Sequence, residues 1–210
     1  DRPPELRGGA REEGTHLATV HQPDVGARLQ ELFGGDPDPR FGQRFGLIYH
    51  ELNLAWSGLD LARVRPFLSD GLFDSFTYWI EAYRSQGLRN ALEGMRVTRW
   101  SYARVIRDRY YDAVTVRFWA EGRDFVVRHP GGEVVSGSAR RNREYSEYWT
   151  FIRGRGAEGS EITVDRSCPN CGAALKVSMS GECAHCGSEI TSGRFDWVLS
   201  KIEQDEVYAG

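Results

Sequence analysis

The sequence predicts an α+β fold: helices first, then a curved antiparallel sheet, with a small metal-held insertion before the last strand. Three observations predict it. Apolar residues recur at spacings of three and four as far as Tyr83, then switch to a period of two after Gly94. These two patterns are segregated along the chain, which separates α+β from alternating α/β architectures. All four cysteines fall between Cys168 and Cys186, as two C-x-x-C pairs.

Residues 1–40 read as a tail or linker carrying one short helix. Up to Pro23 the chain holds proline, glycine and mixed charge with no apolar period. Asp24 can cap a helix over 24–33 with Val25, Leu29 and Leu32 on one side, and GGDPDP then breaks it. From Phe41 the stripe Phe41, Phe45, Ile48, Leu52, Ala55 and Trp56 marks a long amphipathic helix ending at Gly58. A short helix after Asp60 uses Leu61, Val64, Phe67 and Leu68, and Pro66 keeps it short. Ser69 and Asp70 offer a cap for a third helix, whose apolar stripe runs from Leu72 and Phe73 through Phe76, Trp79 and Ile80 to Tyr83.

The strands follow. Residues 95–107 alternate Val97, Trp100, Tyr102, Val105 and Ile106 with arginines. Tyr110–Ala120 puts Val114, Val116 and Phe118 on one face and Ala113, Thr115 and Trp119 on the other, with 125–127 as an extension. His129–Gly132 is a turn, 133–142 a polar loop, and Arg143–Arg153 a third long strand. On that strand Tyr145, Trp149 and Phe151 share one face with Glu147. A last strand is expected over 195–202. Long strands with aromatics on both faces suggest a sheet curled around the helices, a cone that encloses an apolar pocket.

The cysteine segment, CPNCGAALKVSMSGECAHCG, reads as a metal knuckle pair. Each C-x-x-C sets two sulfurs on one tight turn, and Gly172 and Gly187 follow directly, where the backbone must turn back. Cys168, Cys171, Cys183 and Cys186 are expected to hold one structural Zn²⁺ with a closed tetrahedral shell and no open position for catalysis. Iron, disulfides and free thiols are the alternatives for the same residues. Arg166, Lys176 and Arg194 could offset the negative charge of a tetrathiolate site, and His185 is expected to be exposed rather than a ligand. Clustered pairs of this kind also point to a reducing compartment.

The stretch from Phe41 to Ile202 resembles the bacterial Tim-44-like domain family. The likeness is carried by ELNLAWSGLDLARVRPFLSDGLFDSF, VRFWAEGRD, EYSEYWTFIRG and DWVLSKIEQDE, and above all by a W-T-F-x-R strand followed later by W-V-L-x-x-I. Some bacterial members similarly insert a CPNCG…CxxCG ribbon between those two strands. The resemblance implies a nuclear-transport-factor-2-like cone with a large apolar pocket and a non-enzymatic role at or near a membrane, binding lipid or protein. On this reading the cone spans 41–160 and 195–207, and the ribbon 161–194. The pocket would be lined by Phe76, Trp79, Trp119, Trp149 and Phe151, and would take an acyl chain or an apolar peptide segment. The ribbon would brace the last strand or offer a docking surface.

Composition bounds the partners. The chain has 210 residues, 40% of them hydrophobic and 12% aromatic, which suits one domain with a real core and a small appendage. A net charge of −3 gives no global attraction to nucleic acid or anionic lipid, so either must rest on a local patch. Nearly every base is arginine, Lys176 and Lys201 being the exceptions. Arg96, Arg99, Arg104, Arg107 and Arg109, with aromatics between them, are the candidate patch, for lipid headgroups before nucleic acid. No apolar run is long enough to span a membrane and no leader pattern is present. Because the chain starts at Asp1, a fragment or processed form is expected, with an upstream anchor left open. The expected partners are protein subunits of a membrane-associated assembly or anionic lipid, at the cytoplasmic inner face of a membrane. The alternative is a small-molecule enzyme of the same cone using a pocket carboxylate, Glu147, unless that carboxylate pairs with Arg117. His50 falls off the centre of its helix's apolar stripe and is expected at the rim or in solvent.

Overall fold

The computed structural model describes residues 14–157 and 159–210. Three helices precede the sheet: α1 (Val25–Phe33), α2 (Pro39–Ser57) and α3 (Asp70–Ser85), with two short 3₁₀ turns at Leu61–Arg63 and Arg65–Phe67. The strands are β1 (Leu88–Arg107), β2 (Tyr111–Arg128), β3 (Val134–Gly137), β4 (Arg143–Gly154) and β5 (Val198–Gln204). All pair antiparallel in the order β1-β2-β4-β5, with β3 beside the far end of β2. The sheet is open, and the α+β architecture is as the sequence predicts.

Local chemistry sets the helix ends. Asp38 accepts the Arg40 backbone N–H at 2.9 Å and Pro39 occupies the first turn, so α2 starts two residues before its apolar stripe. Asp24 does not cap α1 as expected. It sits at φ 63°, and its carboxylate accepts instead from the Arg28 guanidinium. The short helix expected after Asp60 is replaced by the two 3₁₀ turns, the second built around Pro66.

β1 is longer than its alternating stretch because β2 pairs with all of it, from Leu88 opposite Arg128 to Arg107 opposite Asp112. Register shifts after Glu93, Val97 and Tyr102 bend it, and such bulges curl a sheet. Gly122 faces the first of them: a Cβ there would lie 2.2 Å from the Met95 sulfur and 2.9 Å from its Cα. Only glycine admits that approach.

The core lies between α2 and the concave face. Phe41, Phe45 and Ile48 meet Val114, Val116, Phe118, Trp149 and Phe151, all buried. Edge-to-face ring contacts, such as Phe45 on Trp149 at 5.8 Å and Phe118 on Trp149 at 5.1 Å, fix the layer. Each such side chain, fully buried, contributes about 1.5–3 kcal/mol.

The convex face is covered as well. Residues 14–23, read from sequence as part of a tail or linker, run across it. Gln22 donates its backbone N–H to Ala103 O at 2.8 Å, and its side chain accepts from Val105 N at 2.9 Å. The Val20 N–H reaches the Tyr148 hydroxyl at 2.9 Å. Tyr208, after β5, stacks on Tyr148 at 3.7 Å. We call 14–23 the strap.

Candidate functional site

Two places gather chemistry. The first is the cysteine module. Gly172 (φ 72°) and Gly187 (φ 70°) let each knuckle turn back, and their N–H groups donate to Cys168 O at 2.8 Å and Cys183 O at 2.9 Å. The knuckles repeat one another: Cys168 N donates to Ala173 O, and Cys183 N to Ser188 O, both at 2.8 Å. All four Sγ atoms lie within 4.8 Å of one another, and Cys168 and Cys186 are 3.9 Å apart. None of the four is in a disulfide. A tetrahedron of thiolates with metal–sulfur bonds of about 2.3 Å has edges of roughly 3.8 Å, so the four sulfurs fit a metal ion. The Asn170 amide and the His185 backbone N–H aim at Cys186 and Cys183 sulfur, the kind of outer support that thiolate sites use. The His185 side chain is exposed. Burial pushes the Cys168 thiol up to about 12, so a metal must displace its proton.

The module is docked, not dangling. Ile162, Leu175 and Ile190 join the main core together with Cys168 and Cys183. Its two stems are clamped by a buried ion pair: Arg44 of α2 lies 3.0 Å from Asp196 and donates to Trp197 O at 2.6 Å and Thr163 O at 2.8 Å. Arg65 donates to Met179 O at 2.9 Å. Arg166, offered by the sequence as a counter-charge to the sulfurs, is paired with Glu51 and stands over Phe67.

The second place is a pocket of about 420 Å³ between α2, α3 and the curled sheet. Trp56, Phe76, Trp79 and Tyr83 form its helical wall; Leu92, Met95, Trp149 and Ile202 form its sheet wall. Asn90, Asp124, Arg143 and Glu147 supply polar groups. Glu147 accepts from the Trp149 indole N–H at 2.8 Å and from the Gln204 amide at 3.0 Å. Burial pushes its carboxyl above the usual range, and those two donors pull it part of the way back. Asp124 accepts from Asn90 at 2.7 Å and pairs with Arg143.

The family model described as Tim44-like domain matches residues 37–162, more than half of the chain. The chain belongs to the Tim44-like domain family. At the level of that family it is a membrane-associated binding module, and the family is non-catalytic. The Tim44-like match runs from α2 through β4 and stops short of Cys168. No curated protein matches the chain. Among the described residues, no helix of this Tim44-like chain is long and apolar enough to cross a membrane.

Of the five residues expected around the pocket, Phe76, Trp79 and Trp149 line it. Trp119 stands on the convex face, where its indole donates to Thr15 O at 3.0 Å and Arg99 stacks on it at 3.8 Å. It borders a separate cavity of about 370 Å³ with Thr15, His16 and Glu144. Phe151 shares the face of Trp149 but is sealed against Phe41 and Phe45. The expected Arg117–Glu147 pair does not form. In register, Arg117 opposes Tyr148 and Phe118 opposes Glu147, so the two charges point to opposite faces. His50 is exposed. Within the candidate arginine patch, Arg96 pairs with Glu121 and Arg107 with Asp112, while Arg99 stands over Trp119 and Arg109 over Tyr110. Sequence reasoning missed Arg44 and Glu51. The signal was there, since both fall on the apolar stripe of α2 beside Phe45, Ile48 and Leu52, where a charge needs a buried partner.

Proposed function

We propose that this Tim44-like chain is a non-enzymatic binding module at the inner face of a membrane, docked in a protein assembly, whose pocket holds an apolar chain from a lipid or a peptide segment. The pocket itself carries the reading: it is in the size range of small-molecule sites, and its lining is mainly aromatic and aliphatic with a few polar groups. Four thiolates close a coordination shell, which supports a structural zinc rather than a catalytic one. The organisation proposed with it is a cone of 41–160 and 195–207, with the ribbon at 161–194 bracing β5 through the Arg44 clamp. Against an enzyme, the immediate partners of Glu147 are an indole and an amide. Neither gives or takes a proton near neutral pH, so a raised carboxyl alone makes no acid–base pair.

Organic extraction of the purified protein, with mass spectrometry of the extract, tests the reading. An apolar or amphiphilic molecule is expected in wild type and depleted in Trp79→Ala. A polar metabolite recovered without any lipid-like species would defeat it.

A further inference from the structure

We propose that the pocket selects an amphiphile whose apolar chain ends in a quaternary ammonium group. This deepens the reading of the pocket as the ligand site and rests on it. The lining brings six aromatic side chains, Trp56, Phe76, Trp79, Tyr83, Tyr145 and Trp149, to one cavity. Trp56 meets Phe76 at 67° and Tyr83 at 85° between ring planes, so the helical wall presents rings crossing one another instead of a flat stack. Ring faces carry negative potential and attract cations, most strongly when water is excluded.

Charge agrees with the rings. The charged groups of the lining are Asp124, Glu147 and Arg143, two acids and one base, and Arg143 donates to Asp124. Each oxygen of Glu147 accepts one bond from Trp149 or Gln204 and keeps a further lone pair. A carboxylate-headed chain would therefore enter a negative field. A primary ammonium would carry tightly held water into an aromatic site. A quaternary ammonium has no N–H to leave unsatisfied, so the cavity meets both its methyl groups and its charge. The rest of the protein shows the contrast. Arginines stand over rings in nine pairs among the described residues. None of these pairs uses Trp56, Phe76, Trp79, Tyr83 or Trp149. Among the described residues, then, no arginine stands over those five rings.

Calorimetric titration of the full chain at neutral pH with three amphiphiles that share a ten-carbon chain, each below its micelle concentration or solubility limit, tests this. Decyltrimethylammonium is expected to bind roughly tenfold more tightly than decan-1-ol, as a desolvated cation–ring contact implies, and decanoate more weakly than the alcohol. Tetramethylammonium, lacking the chain, is expected to bind more weakly than its decyl counterpart. Glu147→Gln should bring the ammonium to within about threefold of the alcohol, and Trp79→Ala should weaken the ammonium more than the alcohol. Trp79 is 38% exposed, so its truncation opens no core cavity. Equal affinity for ammonium and alcohol, or a preference for decanoate, overturns the proposal and leaves the apolar-pocket reading standing. Binding of none of the three chains overturns both.

Discussion

Glu147 and Arg117 show how one residue's parity on a strand decides its chemistry. They occupy adjacent strands and are offset by one register position, so one faces the pocket and the other the strap. Arg117 is fully enclosed, and both its terminal nitrogens are engaged: its guanidinium meets Asp205 at 2.8 Å, Leu17 O at 2.7 Å and Gly14 O at 3.0 Å, and lies over Trp119 at 4.3 Å. Among the described residues Glu147 has no such cation at hydrogen-bond range, and Arg143 acts on it only as a lesser influence; its two hydrogen-bond donors are neutral, and burial raises its carboxyl. A carboxyl raised in the native state binds its proton more tightly there than in the unfolded chain. Its contribution therefore favours folding at acid pH and is lost as pH rises from the unfolded value through the native one. Glu147→Gln should be no more stable than wild type near pH 4 and more stable above the native value. Urea unfolding midpoints at pH 4 and pH 7.5 check this. An equal difference at both pH values would show that the carboxyl is not perturbed.

The ribbon, at the scale of an element, depends on both its proposed metal and its dock. It contains only isolated β-bridges, at Ser167–Ala174, Val177–Cys183 and Glu182–Glu189. So little pairing cannot hold a loop, and structural zinc supplies on the order of 10–16 kcal/mol in comparable knuckles. Removing the metal with a chelator should release amide protection across 168–190 while β1, β2 and β4 keep theirs, and about one zinc per chain should be recovered. Hydrogen exchange reads the first and elemental analysis the second; unchanged protection after complete chelation would refute a structural role. Much of this element was legible, because C-x-x-C spacing is local and by itself brings two sulfurs to one turn. The stripe of α2 was legible for the same reason, since periodicity needs no partner. What escaped was non-local. β3 and the first turns of β1 are strands because β2 pairs with them, and nothing in their own alternation shows it. Pocket membership escaped likewise: Trp119 fails by face and Phe151 by position along the strand, and the second is set by how far α2 reaches. Arg44 falls on the apolar stripe of α2, but its partner Asp196 lies far along the chain, so the stripe signals a buried charge without naming what meets it.

The whole molecule is a sheet covered on both sides, with helices within the curl and the strap behind it. That second cover makes polar contacts to Arg117, Tyr148 and Trp119 while its Leu17 and Val20 stay exposed, and it closes over a buried ion pair. A Cβ added at Gly14 would lie 2.9 Å from the Asp205 Cβ, so the strap rests directly on the acid that Arg117 neutralises. Two perturbations should then differ in size. Deleting residues 1–23 removes hydrogen bonds but lets water reach both charges, which takes over part of their solvation. Arg117→Ala in the full chain strands Asp205 under its cover, and removing one partner of a buried pair costs about 3–5 kcal/mol. The point variant is therefore expected to be the more damaging of the two, although it removes a single side chain. In the truncated chain the same substitution should cost less, because Asp205 is then hydrated, and the two changes should not add. Denaturant unfolding of the four proteins closes that cycle. Additive costs, or a truncation more damaging than the substitution, would mean that the strap contributes by apolar burial and not by sealing the pair.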